Sequence, residues 1–150
     1  MGDQIPVKVM GVYVVKSKEG FAAPVVLLGD ESSRIVPIFV GLSEAVSINQ
    51  ALSGEISPRP TTHDLFISTL ESFNAKVTHV LIDDLDEGIY YARLIVVFDF
   101  VEREIDARPS DCLALALRSG ATIQMYEKVI SESCVDKSTL EDLKEIGQYI

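Results

Sequence analysis

A short polar segment, Asp106-Ala107-Arg108-Pro109-Ser110-Asp111, runs straight into an apolar stretch and carries side chains suited to chemistry. Asp106 and Arg108 fall on one side of an extended chain, because side chains alternate along a strand. We expect Ser110 or Asp111 to cap the following helix, whose first N–H groups attract anions. An arginine beside them can hold phosphate through two parallel hydrogen bonds. The segment therefore predicts either a phosphate site or a plain helix cap with an Asp–Arg ion pair.

A second segment, Arg59-Pro60-Thr61-Thr62-His63-Asp64, repeats this arrangement and adds a histidine. His63 is a candidate general acid or base, since imidazole is the side chain whose ordinary pKa lies nearest neutrality. Asp64 can orient that ring or bind a metal ion. The plainer alternative is that Thr61 or Thr62 caps a helix and His63 is exposed.

Each of the two Arg-Pro segments precedes a predicted helix, a turn and a strand. This similarity predicts that both segments converge on one polar pocket, within one chain or across a subunit interface. Arginines and carboxylates enclosed together must pair with each other or with a cation, since an unpaired buried charge is costly. The predicted lining is Arg59, His63, Asp64, Asp106, Arg108 and Asp111, with Glu44 as a weaker member. Glu44 can instead simply complement the dipole of its own helix.

The universal motifs of catalysis are missing from the sequence. It has no glycine-rich phosphate loop, no metalloprotease histidine pair and no zinc-type cysteine spacing. The two histidines, His63 and His79, lie too far apart to predict a multi-histidine metal site. We expect Cys112 and Cys134 to fill structural positions, because two cysteines do not make a disulfide framework.

The chain's length and charge narrow the possible functions. Its 150 residues suit a single globular domain over residues 1–150. Its 23 acidic residues outnumber its 13 basic ones, which gives a net charge of −10 and argues against tight nucleic-acid binding without a cation. No apolar stretch reaches the roughly 18 residues of a membrane helix, and the first residues do not resemble a signal peptide. We therefore expect a cytoplasmic protein that does not bind membranes.

The elements that must position these residues follow from the hydrophobic pattern. Valine-rich runs separated by turn residues predict an antiparallel meander of strands at 7–16, 21–28 and 34–40. Pro37 inside the third run indicates an edge strand or a bulge. Further strands are predicted at 77–82, 89–98, 101–105 and 123–126.

Helices are predicted between these strands. The first begins near Ser43, a possible N-cap, and stops at Gly54, and the second covers about 62–73. Residues 106–111 are predicted to form a loop, and 112–117 a helix that is apolar on every side and therefore buried. A capping-box pattern from Ser138 to Glu141 predicts a last helix over about 138–149. The fold class is thus α+β, with an antiparallel or mixed sheet and three to four packed helices.

Four blocks of the sequence resemble the bifunctional nuclease domain family, in the family's order and over roughly residues 7–130. They are residues 36–45 (VPIFVGLSEA), 59–65 (RPTTHDL), 88–94 (GIYYARL) and 106–116 (DARPSDCLALA). The resemblance implies a compact α+β domain, a homodimer or larger homo-oligomer, and nuclease activity on both DNA and RNA.

We therefore expect a nuclease that hydrolyses phosphodiester bonds, assisted by a divalent metal ion such as Mg²⁺, which would polarise the phosphate and activate water. Arg59 and Arg108 would bind phosphate. The expected catalytic residues are His63, Asp64, Asp106 and Asp111, and the expected metal ligands are Glu44, Asp64, Asp106 and Asp111. The alternative is a non-catalytic oligomeric module that binds a small anion or a protein partner.

Overall fold

The computed structural model describes residues 2–16, 19–20, 22–140 and 142–150. Its first three strands are the predicted antiparallel meander: β1 (Gln4–Lys16), β2 (Ala22–Gly29) and β3 (Ile35–Phe39). Phe21, where the second strand was predicted to begin, lies outside the described residues. Pro37 lies in β3 at the end of the sheet order, where a residue that lacks an N–H group is tolerated.

The remaining strands complete one mixed sheet, in the order β3-β2-β1-β7-β4-β5-β6 with β8 beside β1. They are β4 (Ala75–Asp86), β5 (Ile89–Phe98), β6 (Val101–Ala107), β7 (Thr122–Tyr126) and β8 (Lys144–Glu145). Strands β4 and β7 run parallel, and the other pairs are antiparallel. The predicted α+β class with a mixed sheet is confirmed.

Four helices accompany the sheet: α1 (Leu42–Ser53), α2 (Thr62–Ser72), α3 (Pro109–Ser119) and α4 (Glu127–Ser133). Helix α3 is central, and its residues Cys112 to Ala116 are buried, as their uniformly apolar pattern predicts. Helices α1 and α2 both pack against α3. Within the described ranges, no helix is long and apolar enough to cross a membrane.

Two predicted helix starts are wrong by two or three residues, and both errors affect the site. Helix α1 begins at Leu42 with Gly41 as its N-cap, so Ser43 lies inside the first turn. Helix α3 begins at Pro109 with Arg108 as its N-cap. Proline suits a first helical position, because the N–H group that it lacks would have no intrahelical partner there. Neither Ser110 nor Asp111 is therefore the cap.

The predicted loop over 106–111 and the last helix also need correction. Asp106 and Ala107 continue β6, which pairs with β5 along its whole length. The segment predicted as a helix over 138–149 forms two 3-10 turns, Lys137–Leu140 and Ile146–Gln148, on either side of β8. The pairing of β8 with β1 and the complete burial of Ile146 outweigh the local helical pattern. Glu141, part of the predicted capping box, lies outside the described residues.

Candidate functional site

His63, in the first turn of α2, bridges two other helices. Its Nε2 lies 2.9 Å from Asp111 Oδ1 on α3, and its Nδ1 lies 2.6 Å from the Ser47 hydroxyl oxygen on α1. The imidazole is 14% exposed, so the predicted alternative of an exposed histidine is wrong. Because an ionised carboxylate can only accept, Nε2 must carry a proton toward Asp111. In the neutral ring, Nδ1 then accepts the hydrogen bond from Ser47.

Asp111 is held between two donors at the start of α3. Its Oδ1 accepts from His63 and its Oδ2 accepts from Arg108 Nε at 3.0 Å. Partial burial acts to raise the pKa of Asp111, but the hydrogen bonds from His63 and Arg108 outweigh it and leave that pKa below its ordinary value. The Asp111 carboxylate is therefore ionised at neutral pH and can only accept the hydrogen bond from His63 Nε2.

Arg108 links this pair to α1. Its Nη2 donates to Glu44 Oε1 at 3.4 Å, while its Nε donates to Asp111. The guanidinium is 65% exposed, and within the described part of the chain its Nη1 has no hydrogen-bond acceptor. The pKa of Glu44 is lowered, first by its own backbone N–H group and then by Ser43 and Arg108. Arg108 is thus anchored on one side and open to an anion on the other.

Asp64 lies beside His63 in sequence but takes a different role. Its Oδ2 accepts from the Thr61 backbone N–H group and hydroxyl, each at 2.9 Å, which closes the start of α2. Its Oδ1 accepts from Arg118 Nε at 2.7 Å, and this hydrogen bond and the Thr61 contacts lower the pKa of Asp64 to about 2. One carboxylate oxygen therefore caps the start of α2, and the other links α2 to α3.

Arg59 and Asp106 are not joined to the cluster by direct contacts. Arg59 is exposed in the extended segment before α2, and among the residues that the structure describes it forms no hydrogen bond or ion pair. Asp106 lies opposite Arg93 across β5 and β6, and it borders the same cleft as His63, Arg108 and Asp111. The structure thus brings four predicted residues into contact and adds Ser47. These five residues form the polar cluster: Glu44, Ser47, His63, Arg108 and Asp111.

The four predicted metal ligands are not arranged as a ligand set in this chain. Asp64 accepts hydrogen bonds from Thr61 and Arg118 on its two oxygens, while Asp111 and Glu44 each accept from Arg108. In the described ranges, no three His, Cys, Asp or Glu side chains are placed to share a metal ion. Among the described residues, these carboxylates are therefore not preassembled around one metal position.

Two clefts meet at the polar cluster. The first, about 650 Å³, lies between α2 and strands β5 and β6 and is bordered by Phe66, Tyr91, Leu94 and Ile105. The second, about 600 Å³, lies between α1 and α2 and contains Ser47. His63, Arg108 and Asp111 border both clefts. A ligand in either cleft would therefore reach the same histidine and the same arginine.

The two cysteines play no part in this cluster. Cys112 is fully buried in α3, and burial raises the pKa of its thiol to about 12, so it stays protonated at neutral pH. Cys134 is exposed at the end of α4. Neither cysteine borders the clefts at His63.

Ser47 and Arg118 are the contributors that sequence reasoning missed. Serine on the polar face of an amphipathic helix is common, so Ser47 carries no local signal. Arg118, in the last turn of α3, fits the general preference for a basic residue there. Their partners lie 16 and 54 positions away in sequence, at His63 and Asp64.

Comparison with known proteins relates this chain to a described family. A model of the bifunctional nuclease domain matches residues 25–138. An uncharacterized protein of Mycobacterium tuberculosis is 38% identical over 128 residues, which cover 85% of this chain and 74% of that protein. Bifunctional nuclease 1 of Oryza sativa and a bifunctional nuclease of Oryza minuta are each 28% identical over 110 residues. That match covers 71% of this chain and 33% of each plant protein.

Proposed function

Because this chain belongs to the bifunctional nuclease domain family, we propose that it hydrolyses phosphodiester bonds in DNA and RNA. The observation that carries the proposal is the linked trio of His63, Asp111 and Arg108 where two clefts meet. The trio combines a proton acceptor, a carboxylate that supports its charged form, and an exposed cation. These groups can respectively activate a nucleophile, support the charged base and bind a phosphate during in-line attack on a phosphodiester.

Arg108 is the proposed phosphate ligand. A phosphate oxygen can take the open Nη1 and can replace Glu44 at Nη2, where the present contact is long at 3.4 Å. Asp111 keeps Nε and so holds the plane of the guanidinium while phosphate binds. Arg59 has no such anchor and is proposed only as an outer contact.

The apolar cleft offers a place for one base of the substrate. Phe66 and Tyr91 are partly exposed at its border, and an unstacked base can pack on an aromatic ring whatever its sequence. A single strand reaches such a cleft more easily than a duplex. Contacts with a phosphate and a base face do not involve the 2′-hydroxyl, so such a site would not distinguish DNA from RNA.

The electrostatics predict weak substrate binding. The chain has a net charge of −10, and Glu44 and Asp111 flank the single proposed phosphate ligand. Few phosphate contacts give a shallow dependence of binding on salt. We therefore expect a low affinity for oligonucleotides. Turnover then has to be measured at high substrate concentration.

Cleavage of end-labelled single-stranded DNA and RNA by the purified chain tests the proposal, with and without Mg²⁺ and with a chelator. The Asp111→Asn variant, purified identically, is the matched comparison. The substitution keeps the size of the side chain but removes the charge that supports protonated His63, so cleavage should fall about 100-fold or more. Equal cleavage by both proteins would indicate a contaminating nuclease and contradict the proposal.

A structural role for Asp111 predicts a different result. If the carboxylate only held α3, the variant would lose thermal stability and recover full activity at a lower temperature. We expect instead an activity loss that persists at every temperature where circular dichroism reports a folded chain. The chelator arm independently tests the sequence-based expectation of a divalent metal ion.

A non-catalytic oligomeric module is the second candidate, because apolar side chains are exposed together at one end of the sheet. Phe98, Phe100 and Val101 lie at the β5–β6 turn, and Ile105 follows on the edge strand. Such a patch is typical of a surface that binds another protein chain. Light scattering should then show a homodimer or larger species, and a mass of 16.5 kDa at micromolar concentration would exclude self-association.

A further inference from the structure

Both nitrogens of the His63 ring are already bonded within the chain. Nε2 faces Asp111 and Nδ1 faces the Ser47 hydroxyl. A general base must lie within hydrogen-bond reach of the proton that it removes. The proton that the neutral ring can take in this geometry is therefore that of Ser47.

The surroundings of Ser47 fit a hydroxyl that gives its proton to His63. Ser47 lies one turn after Glu44 on α1, so the two side chains share a face, while Ala45 and Ile48 are buried on the other side. That face borders the cleft between α1 and α2, which also contains Arg108. The hydroxyl thus lies in a cleft that also offers a cation for a phosphate group.

We propose that Ser47 is the nucleophile of this site. His63 activates it, and Asp111 orients the ring of His63. The proposal rests on the proposed phosphodiester hydrolysis for its substrate. The arrangement has the logic of a serine-hydrolase triad with the two ring nitrogens exchanged: carboxylate at Nε2, hydroxyl at Nδ1. A nucleophile and base in contact, with the base oriented by a third group, are the structural signature of covalent catalysis.

The first step forms a covalent intermediate. Ser47 Oγ attacks phosphorus as its proton moves to His63 Nδ1, and the bond from phosphorus to the leaving sugar oxygen breaks. The leaving oxygen lies on the side of phosphorus opposite Ser47, so it takes a proton from solvent water, which becomes hydroxide, while His63 keeps the proton of Ser47. Asp111 stays ionised throughout, and its charge stabilises the imidazolium.

The second step releases the product and restores the enzyme. Water attacks phosphorus from the side opposite Ser47 and gives its proton to the hydroxide formed in the first step, as the bond from phosphorus to Ser47 Oγ breaks. The imidazolium returns its proton to the serine oxygen. The sum of both steps consumes one water and yields a hydroxyl end and a phosphate end, with no oxidant or reductant.

Labelling with a fluorophosphonate tests the nucleophile without depending on nuclease activity. Attack by Ser47 on this probe expels fluoride and leaves a stable phosphonyl-serine that peptide mass spectrometry locates. We expect Ser47 to be labelled, with the rate falling about 100-fold in His63→Ala. Ser53 is the internal control, because it lies on the same helix, is exposed and bonds only to the Gln50 carbonyl oxygen among the described residues. Equal labelling of both serines, or no change in His63→Ala, would overturn the proposal.

Oligonucleotide cleavage provides the second arm. Ser47→Ala should lose cleavage about 100-fold or more while remaining folded, since alanine favours a helix, and Ser53→Ala should cleave like the wild type. Acid quenching during turnover should trap the nucleotide on Ser47, which fragmentation of the tryptic peptide 35–76 distinguishes from Ser53. Full cleavage by Ser47→Ala would refute the nucleophile but leave the nuclease proposal intact. Labelling of Ser47 that depends on His63, in a protein that cleaves no oligonucleotide, would refute the nuclease and support the nucleophile.

Discussion

The two Arg-Pro segments of this chain look alike in sequence but lead into helices with opposite environments. Helix α3, after Arg108, is buried along most of its length, from Ser110 through Cys112 to Ala116. Helix α2, after Arg59, has no buried residue. Matching local sequences therefore do not imply matching roles, because each role depends on what the following helix packs against.

The difference explains which arginine the structure anchors. Arg108 is the N-cap residue of a helix fixed in the core, so its partners Asp111 and Glu44 are held in place. Helix α2 packs the partly buried Ile67 and Leu70 against the core and is also tied to α3 by two polar links, His63 to Asp111 and Asp64 to Arg118. The site therefore has one side fixed in the core and one side held at the core's edge with the help of hydrogen bonds, and elements fixed in the core position a site best.

Truncation of one leucine in each helix tests this comparison with the largest expected effect. Leu115 in α3 is 3% exposed and Leu65 in α2 is 59% exposed. Leu115→Ala should lower the free energy of unfolding by about 2–5 kcal/mol, whereas Leu65→Ala should change it by less than about 0.5 kcal/mol. Denaturant titration measures both. Similar losses in the two variants would mean that α2 is as buried as α3.

Exchange of each arginine for lysine compares the two Arg-Pro segments in function. Arg108→Lys should reduce cleavage about 10-fold, because lysine lacks the planar fork that spans Asp111 and a phosphate. Arg59→Lys should change cleavage less than about 2-fold, since Arg59 is exposed and has no partner among the described residues. Initial cleavage rates at saturating oligonucleotide measure the effect of each variant. An equal loss of cleavage in both variants would mean that Arg59 contributes to the site as much as Arg108.

The ends of the two helices differ in the residue that adopts the left-handed conformation. Helix α3 ends at Gly120 with φ 70°, and α2 is followed by Asn74 with φ 58°. Gly120→Ala should cost about 1 kcal/mol of stability, although no atom lies within 4 Å of the added methyl group. Asn74→Gly should be neutral within a few tenths of a kcal/mol, because both residues tolerate this conformation. Thermal unfolding of both variants measures the difference.

Acid titration of the link between α2 and α3 has the smallest expected effect. The pKa of Asp64 is lowered to about 2, chiefly by Arg118. A carboxyl group whose pKa is lowered by folding stabilises the fold at pH values above its unfolded pKa of about 3.9. This stabilisation is lost as the pH falls toward 2. Since Asp64 is 36% exposed, solvent screening limits the contribution to below about 1 kcal/mol.

The check on this link is the slope of stability against pH. Wild-type unfolding free energy should fall between about pH 4 and pH 2 more steeply than that of Asp64→Asn. Parallel curves would mean that the Asp64–Arg118 pair does not stabilise the folded chain. Glu71→Gln, on the exposed side of α2, is the matched control and should leave the slope of the wild type almost unchanged.

Much of the fold could be predicted because its signals are local. The valine-rich runs of the first strands, the uniformly apolar residues of α3 and the glycines that end α1 and α3 each act within a few positions. The errors occurred where distant contacts outweighed a local pattern. The last segment has a capping-box pattern, yet its backbone pairs with Tyr13 and Val14 of β1.

The candidate site was predicted in part for the same reason. The types and spacing of His63, Arg108 and Asp111 indicated acid–base and phosphate chemistry, and the structure places these three in contact. Asp64 could not be separated from them by sequence, because a carboxylate that caps a helix looks the same as one that serves a site. Its partner Arg118 is 54 positions away.

The sequence by itself determined the family, the α+β class, the meander and the buried helix, because periodicity, glycine and proline act through the nearby backbone. Tertiary structure alone decided which side chains meet: Ser47 with His63, Asp64 with Arg118 and Arg108 with Glu44. A hydrogen bond requires its two atoms to lie about 3 Å apart, and that distance depends on how whole helices pack. The packing of α1, α2 and α3 therefore decides which partners His63 has.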